Sequence, residues 1–373
     1  MDISGNPSFA RPKSPAARVL HLLRPGMPLN RTDIAAATGL SQPTVTRAIQ
    51  SLNQAGIIDF RPDLVINSKQ RGRRPVPVEI APHSGFFAGI AVGTTSHYVA
   101  LYNLQGRTLR HLNVRRSVAG ISPDEFIQTL VKAVEEMAAS LTGRLLGVGM
   151  TTSGRVRRNG IVDAANLGWH GVHVAPRLEY YFRVPITVSS AVSAILGAEL
   201  QTTHLQTMES TTTLAIFADD SISAALSGID GTVQIPHLPL VNSRILTATA
   251  TPPELCLNTE GFLELAARDG ALPGQPNFRV YLDERARLLG VMAAELLHIH
   301  TPNKVVIAGS AFTDDATHAP KIFARTVRKN YSSDPAPQLR MIPTHREIVA
   351  SIARAVALDA VFRDPLSYPN TTS

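Results

Sequence analysis

Gln42, Thr44, Thr46 and Arg47 stand on the polar side of a segment in which Val45, Ala48, Ile49 and Leu52 recur at helical spacing. Amide, hydroxyl and guanidinium groups so placed can hydrogen-bond to base edges in the major groove of double-stranded DNA, or to its phosphates. Further along, Arg71, Arg73 and Arg74 surround Gly72, and Pro75 and Pro77 keep that run out of a helix. Extended arginines of this kind suit phosphates or a minor groove.

Such side chains need a small rigid scaffold. Residues 15–23 place Val19, Leu20, Leu22 and Leu23 on one side of a short helix, and Asn30 is suited to cap a second helix carrying Ile34 and Ala37. Thr38-Gly39-Leu40-Ser41 breaks that helix and caps a third, which Gly56 ends. Residues 57–60 then open a hairpin with the arginine run at its tip. The pattern predicts a winged helix-turn-helix over residues 15–82, preceded by a flexible tail over 1–14. Charge agrees: residues 1–82 hold 11 Lys and Arg against 5 Asp and Glu, so +6 of the chain's +7 lies there. Affinity for DNA scales with the phosphates neutralised on one surface, so this concentration matters more than the total.

The whole chain has 373 residues, 44% of them hydrophobic, enough for two or three cores. It contains no run near the roughly 20 apolar residues that cross a bilayer, and residues 1–14 lack the apolar stretch of a secretory signal. A cytoplasmic protein without a membrane partner is expected. One cysteine, Cys256, leaves no internal disulfide and no multi-cysteine metal cluster, and suits a buried filler.

From residue 83 the pattern changes to α/β. Residues 86–92, 97–103 and 108–114 read as three antiparallel strands, 123–141 as an amphipathic helix, 145–151 and 185–188 as strands, and 191–199 as a helix. A comparable series follows: a hairpin over 211–218 and 221–228, a long helix over 282–300, a buried strand over 304–309 and an Ala-rich helix over 348–362. Strand-rich openings followed by helices, occurring twice, predict two α/β lobes around a cleft.

Several stretches in order give this chain a resemblance to the ROK family of repressors, open reading frames and sugar kinases. They are Leu40-Ser41-Gln42-Pro43-Thr44-Val45-Thr46-Arg47, Arg73-Arg74-Pro75, Asn166-Leu167-Gly168-Trp169, Leu238-Pro239-Leu240 after His237, Gly261-Phe262-Leu263-Glu264, and the strand reaching Gly309. The resemblance implies an operator-binding winged helix followed, over residues 83–373, by an actin-like, sugar-kinase (ribonuclease H-like) ATPase fold. It also implies a homodimer or a dimer of dimers on a pseudopalindromic operator.

Departures from the family pattern fall on the kinase chemistry. The first phosphate turn of the kinases, Asp-x-Gly-Gly-Thr, matches Ala91-Val92-Gly93-Thr94-Thr95; their catalytic Asn-Asp pair matches Ser190 and Ala191. A methyl group takes no proton from a sugar hydroxyl. Their second phosphate turn, Gly-Thr-Gly, lies near Ala218-Asp219-Asp220, whose carboxylates would repel a nucleotide. Of the family's zinc ligands only His237 is matched; Leu255, Leu257 and Phe262 hold the thiolate positions, so no metal is expected and the loop is expected to pack by apolar contact. For a sugar or sugar-derivative effector the resemblance offers Asn166, Ser190, Gln234, His237 and Glu264. The expectation is a transcriptional regulator, in the direction of repression, with no catalytic residues and no cofactor, its second domain serving dimerisation and sensing. Two alternatives stay open: an active sugar kinase with an appended DNA-binding domain, and a regulator whose second domain binds a protein.

Overall fold

The computed structural model describes residues 8–65, 76–82, 85–228 and 230–368. Its first body is built on three helices, α1 (Pro15–Leu23), α2 (Arg31–Thr38) and α3 (Gln42–Gln54). Each begins on a polar cap. The Ser14 hydroxyl accepts from the Ala17 amide, Asn30 from Asp33 at 2.9 Å, and Ser41 from Thr44 at 3.4 Å, satisfying donors that a helix start leaves bare. Gly39, at φ 68°, turns the chain sharply between α2 and α3. Val45, Ile49 and Leu52 of α3 are fully buried against Val19, Leu20 and Leu23 of α1 and Ile34 of α2, each burial being worth about 1.5–3 kcal/mol. Strands β1 (Ile58–Phe60) and β2 (Val78–Ile80) pair antiparallel at the base of a wing.

The first lobe contains β3 (Phe86–Val92), β4 (Ser96–Asn103), β5 (Thr108–Arg115), α4 (Pro123–Ala138) and β6 (Leu145–Thr152). A small antiparallel sheet of β7 (Arg155–Val156), β8 (Ile161–Ala164) and β9 (Trp169–His173) follows, then α5 (Val174–Phe182), β10 (Ile186–Ser190) and α6 (Ala191–Thr202). The main sheet runs β10-β6-β3-β4-β5, with β3 to β5 antiparallel and β6 and β10 parallel to β3.

The second lobe repeats that plan. After α7 (Leu205–Ser210) come β11 (Thr213–Ala218), β12 (Ile222–Gly228), β13 (Gly231–Gln234), α8 (Pro253–Cys256), α9 (Thr259–Arg268) and α10 (Phe278–His300). Then follow β14 (Lys304–Ala308), α11 (Ser310–Thr313), α12 (Ala319–Asn330), β15 (Gln338–Met341) and α13 (His345–Arg363). The sheet runs β13-β12-β11-β14-β15, the same order of hairpin strands and parallel strands as in the first lobe. This is the two-lobed α/β architecture expected from the alternating pattern.

Helix α13 returns to the first lobe and lies directly on its sheet. Gly89 on β3 and Gly149 on β6 permit that approach: a Cβ at Gly89 would sit 2.3 Å from the Ala353 carbonyl oxygen, and one at Gly149 2.3 Å from the Val356 carbonyl carbon. The apolar faces of α6 and α13 then form one continuous core with α1 and α3, so the helical body is docked on the lobes.

The flexible tail expected over 1–14 is corrected for its described part. Residues 8–14 are held down. Phe9 is 2% exposed, packs on α6 against Gly197, and its amide donates to the buried Asp359 carboxylate of α13 at 2.9 Å. The Ser8 carbonyl accepts from Thr232 on β13, Arg11 donates to the Thr211 carbonyl at 3.0 Å, and Lys13 pairs with Asp230. A lone aromatic among Pro and Ser gives no local sign of such distant partners.

Candidate DNA interface and interlobe cleft

On α3 the buried stripe leaves Gln42, Arg47 and Gln50 exposed, with Thr44 and Thr46 half-buried beside them. The Thr44 hydroxyl is bonded to the Ser41 hydroxyl at 2.8 Å, which fixes the first turn of the helix. Gln42 and Arg47 thus project from the N-terminal half of the third helix, the part that enters a major groove in helix-turn-helix proteins. Arg71, Arg73 and Arg74 lie outside the described residues. At the base of the wing, Arg61 is committed within the fold: it bonds Asp63 at 2.7 and 2.9 Å and Glu79 at 2.6 Å, which ties the segment after β1 to β2. Nothing in the local sequence pattern had marked that arginine as one held within the fold.

The second site lies between the lobes. Ala91, next to last in β3, is 4% exposed and Ala191 opens α6 5% exposed, so both positions matched to kinase carboxylates hold buried methyl groups. Ser190, beside them, is also buried, and its hydroxyl is engaged in capping α6: it accepts from the Ser193 amide at 3.3 Å and donates to the Ser193 hydroxyl at 3.0 Å. The two altered phosphate turns meet each other. Thr94, in the β3–β4 turn, donates its hydroxyl to the Asp220 carboxylate at 2.7 Å, and Ser221 donates to the Ser153 carbonyl at 2.8 Å. Both bonds cross from one lobe to the other. Asp219 points the other way, toward Ser310, His345 and Arg285; burial, with the neighbouring Asp220 charge, pushes its carboxyl above the ordinary range, against the pull of Ser310. Arg285 is itself 5% exposed, donates to the Leu257 carbonyl at 2.9 Å and stacks on Phe262, its pKa brought down to about 10 by burial.

Beside these turns is a cavity of about 260 Å³. Asn166 and Gln234 both line it, as do Asp220 and Glu254. Asn166 is oriented by Ser153, from which its amide nitrogen is 2.8 Å away. The structure does not bring the other candidates there: Ser190 is buried at the helix cap, while His237 and Glu264 are exposed outside the cavity lining. Glu254 escaped the sequence reading because it belongs to the short helix α8, which that reading did not identify. The loop matched to the zinc site packs only in part. Leu257 and Phe262 are buried, but Leu255 is 65% exposed, contrary to the expectation that all three pack. Cys256 is buried, with its thiol pushed up to about 11 by burial, as a filler would be. Among the described residues no helix is long and apolar enough to cross a membrane.

Comparison with known proteins gives this geometry a context. The ROK family model matches residues 87–217, and the Crp-like helix-turn-helix domain model matches residues 16–71. The Mycobacterium tuberculosis protein named transcriptional regulator Rv0485 is 29% identical, over 96% of this chain and 88% of that protein. A crystal structure described as a ROK family transcriptional regulator, homologous to the E. coli MLC protein, superposes with a TM-score of 0.75 at 16% identity, covering 96% of this chain and 98% of that one. The ROK hexokinase from Thermus thermophilus superposes with a TM-score of 0.56 at 17% identity, covering 74% and 98%. Residues 16–71 thus match a Crp-like helix-turn-helix domain and residues 87–217 the ROK family, and the chain shares its fold with a ROK family regulator and, over its lobes, with a ROK hexokinase.

Proposed function

We propose that this protein is a DNA-binding transcriptional regulator of the ROK type, working in the cytoplasm, whose second domain dimerises and senses a small polar ligand and transfers no phosphate. The observation that carries the reading is the exposed face of α3: Gln42, Arg47 and Gln50 stand clear of the core on a helix whose other side is fixed by Val45, Ile49 and Leu52. The names of the similar regulators point the same way. Two copies on a pseudopalindromic operator would present their third helices to half-sites about 34 Å apart, or a multiple of that. Repression by occupying the operator is the simplest output. Arg71, Arg73 and Arg74 are assigned to phosphate or minor-groove contact, with Thr44 and Thr46 beside the base-reading residues.

Loss of phosphotransfer is supported by Ala91 and Ala191, and by the Thr94–Asp220 bond where a nucleotide's phosphates would lie in the kinases the chain resembles. The ligand's place is the cavity at Asn166 and Gln234, whose amides both donate and accept as sugar hydroxyls require. Ser190, His237 and Glu264 are given no direct ligand contact in this arrangement.

The test is selection of bound genomic fragments by the purified protein, followed by footprinting of the recovered operator. Arg47→Ala should lose about 1–3 kcal/mol of preference for that operator while retaining non-specific binding. An unchanged footprint and affinity for Arg47→Ala would overturn the placement of the reading helix. In parallel, phosphate transfer from ATP to hexoses above a protein-free control would overturn the non-catalytic part.

A further inference from the structure

We propose that the seam between the helix-turn-helix body and the ROK domain is a binding site for a small phosphorylated molecule, distinct from the interlobe cleft. The seam forms an open pocket of about 470 Å³ between the end of α1, the β4–β5 turn and the end of α6, with Arg354 of α13 on a further side. That volume falls in the range of small-molecule sites, which favour domain interfaces.

Its lining is one-sided in charge. Arg24 and Arg354 both line it, with His21 and His204, and its remaining polar side chains are neutral amides and hydroxyls such as Gln105 and Gln201. No carboxylate belongs to the lining, and among the described residues neither Arg24 nor Arg354 forms an ion pair with one. Two guanidinium groups facing a shared space without an anion are mutually repulsive. Burial, and secondarily Arg354, bring the Arg24 pKa down to about 9, which leaves it cationic at neutral pH. A bound anion would relieve the repulsion.

Arg24 is also preorganised. It donates to the Gln201 carbonyl at 2.6 Å and to the Gln201 side-chain oxygen at 3.1 Å, and its guanidinium lies 4.0 Å from the centre of the Phe362 ring. Its Nε is nevertheless buried with no hydrogen-bond partner. Gln201 is held in turn by the Ala355 carbonyl at 2.8 Å, so the group is braced from α13 as well. The Arg354 stem lies across Gly106 in the β4–β5 turn. A phosphate matches this arrangement better than a single carboxylate, because its three free oxygens can be shared between the Arg354 guanidinium and the N–H groups of Arg24 that Gln201 does not take. The site is made by both bodies, since Arg24 caps the end of α1 and Arg354 lies on α13.

The intact protein can be tested by thermal unfolding in sodium phosphate and in sodium pyrophosphate, against sodium chloride at matched ionic strength. Pyrophosphate should raise Tm by about 2–5 °C at saturation. Arg354→Gln should abolish the rise, whereas Arg110→Gln, an equal charge loss on the exposed strand β5, should keep it. Arg24→Lys should weaken binding at least tenfold by isothermal titration, because the fork is lost and the charge is not. Hydrogen exchange should slow in both α1 and the end of α6 when pyrophosphate is bound. The proposal fails if neither anion stabilises beyond chloride, if Arg354→Gln responds like the parent protein, or if protection is confined to the interlobe cleft.

Discussion

His21 shows how one side chain can set the pH range of a domain contact. Its Nε2 lies 2.8 Å from the Thr203 carbonyl, and burial, opposed by that hydrogen bond, takes its pKa from 6.5 down to about 4. The docked protein therefore holds it neutral, while the unfolded chain protonates it near 6.5. Between those values the unfolded state binds the extra proton, so the contribution is complete above about pH 6.5 and is lost as pH falls toward 4. The loss amounts to about 3 kcal/mol in all. Urea unfolding at pH 7.5, 6 and 5 should show this decline in the parent protein and a flatter profile in His21→Gln, which keeps a donor for Thr203 without a titrating ring. Parallel profiles would remove His21 as the cause. A second residue, Arg61, shows why side-chain types alone misjudge a basic segment: its charge is neutralised by Asp63 and Glu79, so Arg61 itself has none to offer a phosphate.

At the scale of elements, the seating of α13 on the first sheet depends on hydrogen atoms where other residues carry a side chain. Gly149→Ala would place a methyl group 2.3–2.4 Å from the backbone of Val356 and Ala357, which cannot swing aside as a side chain could. A loss of about 1–3 kcal/mol or more is expected in urea unfolding, with loosening of α13 in hydrogen exchange. Unchanged stability would mean that the helix does not lie so close. The elements legible in the sequence were those whose burial leaves a periodic trace: α3 through Val45, Ala48, Ile49 and Leu52, and β3 through an unbroken apolar run. The small sheet β7-β8-β9 left no such trace, because strands of two to five residues are too short for alternation to stand out. β15, with the sequence Gln-Leu-Arg-Met, is held in place by its parallel partner β14 rather than by its own pattern. Candidate site residues followed the same rule. Asn166 and Gln234 could be named from motif resemblance, but their sharing of a cavity with Glu254 depends on the packing of separate elements.

For the molecule as a whole, the relation of the two lobes is set by bonds between residues far apart in sequence. Thr94 and Asp220 are 126 positions apart, and the Asp219-Asp220 pair gave no hint of a hydroxyl donor across the cleft. Glu199 on α6 adds another link, bonding Lys304 at 2.6 Å and Arg340 on the second sheet. Thr94→Val and Asp220→Asn, singly and together, should show a coupling of about 1–3 kcal/mol in a double-mutant cycle of unfolding, since the acceptor is charged. Additivity within about 0.5 kcal/mol would show that the two turns are neighbours without being joined. The segment through Phe9 bears on the same question from outside the lobes. It reaches α13 through Asp359 and the second lobe through Thr232, while the far end of the helix-turn-helix body continues from β2 into the first lobe. Fastened at both ends of its chain as well as through the core it shares with α6 and α13, the helix-turn-helix body has to travel with the lobe it sits on, and α3 with it.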